Sequence, residues 1–230
     1  MTTSRRTRLS PQARREQLLE LGVRMLSHRT LDELSVEEIA EQAGISRGLL
    51  FHYFRNKQEF HRAVVQRAAD DLIETTAPDY SLPPLPRLSR SLEHYIDYVE
   101  ANQHAYISLV RGAASGDQAL REIFDATRAV LTGRITDNVG MFGLSDGPAV
   151  RLMARGWSAM VEEAVLAWLQ HPRPHDSQPP DRQPQDSQRQ DSQPQDFQPQ
   201  DPQPQDPQPS KAELLRMLTA ALPAVLLTTN

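Results

Sequence analysis

The chain has 230 residues, 38% of them hydrophobic, no cysteine, and a formal net charge of −5. That length can bury the core of one large domain or two small ones. The missing thiols exclude disulfides, thiolate metal sites and cysteine nucleophiles. The net charge hides a gradient. Residues 1–15 carry five arginines (Arg5, Arg6, Arg8, Arg14, Arg15) and no acid, and residues 1–62 hold eleven Arg/Lys against eight Asp/Glu. Residues 171–209 hold three arginines against seven aspartates. A basic front on an acidic chain is compatible with nucleic acid, because binding depends on the field near the phosphates.

In chain order, periodicity predicts helices almost throughout and no convincing strand. Residues 1–9 read as a flexible basic arm, and no apolar run follows them, so they do not read as a signal peptide. Ser10-Pro11 starts a helix, with Ser as cap and Pro at the first helical position. Leu18, Leu19, Gly22, Met25 and Leu26 then recur at helical spacing. Ser35-Val36-Glu37-Glu38 has the form of a capping box: Ser35 caps the Glu38 amide and the Glu38 carboxylate reaches back. Its short helix runs through Ile39 and Ala40 to Ala43 and is broken by Gly44. Ser46 opens another helix that ends near Phe54, and a long helix extends from Asn56 to about Thr76. The prolines from Pro78 to Pro86 form a hinge into a second region.

That second region is expected to hold helices over about 88–101, 104–114, 117–139, 147–170 and 210–227. The fourth is strongly amphipathic through Val150, Met153, Trp157, Met160, Val161, Ala164, Val165 and Trp168. Between the last two helices lies a repeat approximating D-x-Q-P-Q, with Asp at 176, 181, 186, 191, 196, 201 and 206. A segment so poor in apolar side chains has nothing to bury and is expected to be disordered, as an expanded linker or a partner-binding proline tract. The longest nearly apolar stretch, Leu218 to Leu227, is about half of what a membrane span needs and contains Pro223. The expectation is a soluble, cytoplasmic protein with no membrane partner.

The segment from Leu34 to Lys57 meets the physical needs of a helix-turn-helix. Val36, Ile39, Ala40 and Ala43 supply a buried side for the first helix, and Gly44 supplies a turn residue tolerant of positive φ. Ile45 plugs the angle. In the second helix Leu50 and Phe54 face the core, leaving Arg47, Gly48, Leu49, Phe51, His52 and Tyr53 on or near the outer face. An exposed N-terminal turn carrying Arg suits guanine edges in the major groove.

These residues resemble the TetR family of repressors. The match is carried by Ile39-Ala40, Ala43-Gly44-Ile45-Ser46, Gly48, Leu50-Phe51, Tyr53-Phe54 and Lys57, with the long helix directly after. Phe51 stands where the family usually has tyrosine. The resemblance implies an all-α protein of about nine helices: a three-helix DNA-binding domain over 10–56, a connecting helix over 57–77, and a helical effector-binding and dimerisation domain over 78–230. The 171–209 insert departs from the family's short connection. Carried over, Arg47 and Gly48 meet bases, Leu49 and Phe51 touch bases or thymine methyls, and Ser46, the cap of this helix, is also a DNA-contact candidate. His52 and Tyr53 lie on phosphate or sugar, and Ser35, Val36 and Lys57 meet phosphate.

The resemblance also implies a homodimer through the helices at about 147–170 and 210–227, and an apolar or amphiphilic small-molecule effector. Tyr95, Tyr98, Tyr106, Arg111, Phe124 and Trp157 are the candidate pocket residues, each also suited to a plain core role. Glu162-Glu163 could bind a cationic ligand or pair across the dimer with Arg151 or Arg155. The competing reading is a ligand-independent regulator whose C-terminal region only dimerises or recruits a partner. No nucleophile elbow, phosphate loop, cofactor motif or metal cluster is present in the sequence, and His94 and His104 are too isolated for a metal site, so an enzyme is not expected.

Overall fold

The computed structural model describes residues 9–114, 116–170 and 209–227, and the readings of the basic arm at 1–8 and the repeat at 171–208 lie outside the described residues. Nine α-helices are present among the described residues, with no strand. They are α1 (Pro11–Leu26), α2 (Val36–Gln42), α3 (Arg47–Tyr53), α4 (Lys57–Thr75), α5 (Pro84–Ala101), α6 (Gln103–Ala114), α7 (Gln118–Thr136), α8 (Pro148–Gln170) and α9 (Lys211–Leu227). No helix among the described residues is long and apolar enough to cross a membrane.

Local chemistry sets most of the boundaries. The side chains of Ser10, Ser35, Ser46, Asn56 and Asp117 each accept from the amide three residues on, satisfying one orphan donor per helix. The box at Ser35 closes on one side only. The Glu38 carboxylate pairs with Arg29 at 2.5 Å, and Ser35 Oγ donates to Glu37 instead. Two expected boundaries shift. α5 begins at Pro84, four residues before the expected 88, because proline at the first turn forfeits an amide that has no partner there anyway. α7 stops at Thr136, and the expected tail to 139 is replaced by a 3₁₀ turn over Val139–Phe142 that Gly143 closes in the left-handed region.

Two apolar clusters form. The first joins α1–α4 through Leu18, Leu26, Leu34, Ile39, Leu50, Phe54, Phe60 and Val64, and continues into Ala105, Leu109, Leu120 and Ile123 of α6 and α7. The N-terminal helices are thus packed on the rest of the chain, as well as joined to it by α4. The second cluster gathers α5, α8 and α9 around Tyr95, Ile96, Trp157, Val161, Val165 and Leu222. α4 belongs to both, through Phe60 and Val64 at one end and Leu72 at the other.

Candidate nucleic-acid interface and adjoining cleft

The turn between α2 and α3 follows from Gly44, whose φ of 65° suits a residue with no Cβ. Its amide donates to the Glu41 carbonyl and the Ile45 amide to the Ala40 carbonyl, the paired bonds of a Schellman cap. Ile45 packs against the first cluster, so the angle between α2 and α3 is held from inside. Leu50 and Phe54 are fully buried, and the Phe54 ring meets Phe60 edge-on at 5.0 Å, tying the end of α3 to α4.

The opposite face of α3 is open. Ser46, Arg47, Gly48, Leu49 and His52 are exposed, whereas Phe51 and Tyr53 are half-buried against the first cluster. Arg47 pairs with Glu37 of α2 at 3.0 Å, and its guanidinium stands 5.4 Å from the centre of the Phe51 ring. A backbone hydrogen bond holds the Glu37 carboxyl below its ordinary value, and the Ser35 hydroxyl and the Arg47 guanidinium add to it. The Val36 side chain is buried, leaving its backbone amide at the start of α2. Lys57 is exposed as the first residue of α4, at the helix end where a cation is disfavoured by the dipole. Its position is therefore not explained by helix stability.

A cleft of about 920 Å³, counting its open mouth, lies between the C-terminal end of α4 and helices α5, α7, α8 and α9. Leu88, Leu92, Leu131, Ile135, Val161 and Leu222 make most of its walls. Its charged lining is three arginines, Arg87, Arg128 and Arg134, against one carboxylate, Glu162. Arg128 grips Glu162 through Nε to Oε1 at 3.0 Å and through a second short bond, and stacks 4.5 Å over Phe124. That hydrogen bonding raises the Arg128 pKa further. Arg87 donates to Asn138 Oδ1 and to the Asp79 and Leu82 carbonyls, binding the α4–α5 connection to α7.

The six aromatic and basic residues expected at a pocket are dispersed. Tyr95 and Trp157 line this cleft. Tyr106 stands behind Tyr95, their hydroxyls 2.5 Å apart, and burial pushes both phenols up, so they stay protonated. Tyr98 donates to the Ala68 carbonyl of α4 at 2.7 Å, and Phe124 lies beneath Arg128 at the first cluster. Arg111 lines a separate, polar crevice with Arg55, His61 and Arg62, where α4 faces α6 and α7. Among the arginine and amide side chains of the cleft, sequence reasoning missed Arg87, Arg128, Arg134 and Asn138. One signal existed for Arg128: it falls on the stripe Phe124, Leu131, Ile135, where an arginine has no business unless paired.

Of the Glu162-Glu163 pair, Glu162 belongs to Arg128 and Glu163 is exposed, while Arg151 pairs with Asp146 of its own chain at 2.5 Å. α8 turns Val150, Ala154, Trp157, Val161 and Val165 inward. Its other side presents Leu152 and Met160, and neighbouring α9 presents Met217, all large apolar side chains left exposed. No group of three or more His, Cys, Asp or Glu able to hold a metal occurs among the described residues.

Comparison with known proteins agrees with this geometry. The family model described as "Bacterial regulatory proteins, tetR family" matches residues 18–64, and "Tetracyclin repressor-like, C-terminal domain" matches residues 84–191. The chain is 27% identical over 175 residues to the HTH-type transcriptional activator FasR of Mycolicibacterium smegmatis, covering 75% of this chain and 80% of that protein. It is 20% identical to the "Fatty acid metabolism regulator protein" of Bacillus subtilis, covering 70% and 86%. The HTH-type transcriptional repressor KstR2 of M. smegmatis is 27% identical over 140 residues, 60% of this chain and 68% of that one. Among solved structures, a tetR-family transcriptional regulator from Streptomyces coelicolor superposes with a TM-score of 0.70 at 28% identity, covering 96% of this chain and 85% of that one. The fold is shared by FadR from B. subtilis, solved in complex with stearoyl-CoA, with a TM-score of 0.58 at 16% identity, covering 92% and 97%.

Proposed function

Because the chain belongs to the TetR family of DNA-binding transcriptional regulators, we propose that it is a homodimeric repressor released from its operator by a hydrophobic or amphiphilic small molecule. The observation that carries this reading is the placement of α4. Its first turn follows the recognition helix α3 and is locked to it by Phe54 against Phe60, while Thr76 at its far end lines the cleft. A ligand that favours one arrangement of the cleft walls therefore acts on the rod that carries α3.

In this reading Arg47 and Gly48 meet base edges, with Leu49 and Phe51 beside them. Ser35, Val36, His52, Tyr53 and Lys57 lie along the backbone, with Ser46 at the cap of α3. Two α3 helices must enter successive major grooves about 34 Å apart, which requires a near-palindromic site. The exposed Leu152, Met160 and Met217 on α8 and α9 supply an apolar face for the twofold contact. A fatty-acid regulator among the relatives supports a lipid-like effector, as do the apolar cleft walls. The relatives include both an activator and a repressor by name.

Selecting operators from random DNA with the full chain tests the first half: a palindromic consensus bound by two chains is expected, and a single half-site bound by one chain would count against it. Screening hydrophobic metabolites for loss of operator binding tests the second half. A full library without effect would favour the ligand-independent regulator.

A further inference from the structure

The polar end of the cleft contains an arginine in an unusual setting. Arg134 of α7 donates through Nη1 to the Thr76 carbonyl and hydroxyl, at 3.0 Å each, and through Nη2 to the Ile73 carbonyl at 2.7 Å. These groups lie at the C-terminal end of α4, where a cation satisfies orphan carbonyls and favours the dipole. No carboxylate pairs with Arg134 among the described residues, in contrast to Arg128 of the same helix, which Glu162 holds. Burial pushes the Arg134 guanidinium down from its ordinary value, as expected for a charge taken from water without a counter-ion. With Glu162 already neutralised, the cleft lining carries an excess of positive charge.

We propose that Arg134 is both the receptor for the acid group of an anionic amphiphile and the catch through which that ligand frees α4. The proposal rests on the reading of the cleft as an effector site and adds the sign of the head group and the route of the signal. The hydrocarbon part lies along Leu88, Leu92, Leu131 and Ile135 toward Trp157, and the acid faces Arg134 at the polar end. A carboxylate or phosphate oxygen forms a charge-assisted, bidentate bond that a neutral carbonyl cannot match. It draws the fork away from Ile73 and Thr76, so α4 loses its tie to α7 at the end opposite α3. A cationic amphiphile is disfavoured, since the one carboxylate in the lining is taken.

The test uses the full chain, dodecanoate and 1-dodecanol below micellar concentrations, and quenching of tryptophan fluorescence, Trp157 being a wall of the cleft. Wild-type protein should bind dodecanoate about tenfold or more tightly than the alcohol, and dodecanoate should weaken operator binding where dodecanol does not. R134Q should lose the preference while its dodecanol affinity is unchanged, which also shows that it is folded. Where R134Q does not fold, R134K takes its place and should show a reduced preference, because it keeps the charge without the fork. Equal affinity of wild type for the two probes overturns the proposal but leaves the cleft an effector site. An undiminished preference in the variants overturns the assignment to Arg134. Failure of both probes to bind wild type overturns the effector reading and this proposal with it.

Discussion

Replacing Gly22 by alanine should destabilise the protein, although alanine is the better helix former. Gly22 is buried in α1 where that helix crosses α4. A Cβ built on it would lie 2.4 Å from Val64 Cγ2, 3.1 Å from Val64 Cγ1 and 3.4 Å from Phe60 Cζ. The propensity gain is about 1 kcal/mol. Against it stands overpacking, at about 1–3 kcal/mol, and the upper part of that range applies because Val64 is fully buried and stiff about χ1. The balance is a loss of about 1 kcal/mol, which for a chain of this size lowers Tm by about 2–4 °C. Thermal unfolding followed by circular dichroism reads the change. In a Val64→Ala background the obstructing methyls are gone, and the same substitution should cost less or stabilise, with a coupling of at least about 0.5 kcal/mol. A rise in Tm for Gly22→Ala alone, or equal effects in the two backgrounds, would refute the packing argument.

Three further outcomes are expected. Arg47→Ala should cost about 1–3 kcal/mol on the operator and relax preference at one base position; an equal loss on every sequence would move Arg47 to the phosphates. Lys57→Ala should weaken all sites alike and lower the salt slope by about one unit, read from affinities at several salt concentrations; an unchanged slope would remove it from the backbone. His61 of α4 donates from Nε2 to the Leu34 carbonyl at 3.1 Å, and burial pushes its pKa below the ordinary histidine value. The unfolded chain therefore takes up the proton first, so the stability His61 contributes is present above about pH 6.5 and lost as pH falls toward the lowered folded value. His61→Gln should flatten the fall in Tm between about pH 7 and about pH 5, and an unaltered pH slope would clear His61 of that role.

The helix-turn-helix was legible because its determinants are local. Ser35, Ser46 and Asn56 cap amides three residues away, and Gly44 makes a turn within two residues, so short-range rules suffice. Glu38 was misread because its partner, Arg29, comes from the loop before the helix, outside the box that the motif describes. The cleft was harder still. Tyr95 and Tyr98 share α5, yet one lines the cleft and the other bonds to Ala68, a division fixed by where α4 crosses. Side-chain size marks a residue as interior but not which interior. The arginines of the cleft were missed for the opposite reason, since an isolated arginine on a helix reads as solvated until its partners on other helices are known.

The hydrogen bond from Trp168 Nε1 to the Pro209 carbonyl, at 2.9 Å, has a practical consequence. It holds Pro209 beside the last turn of α8, so positions 168 and 209 are neighbours on either side of the segment between them. Such a closed mouth is where a foreign domain can be spliced in without stretching its host. A fluorescent protein inserted between residues 170 and 209 would have its termini clamped by α8 and α9, the helices that flank the cleft and present the apolar face. The chain thus offers a ready seat for a genetically encoded sensor of the effector proposed above.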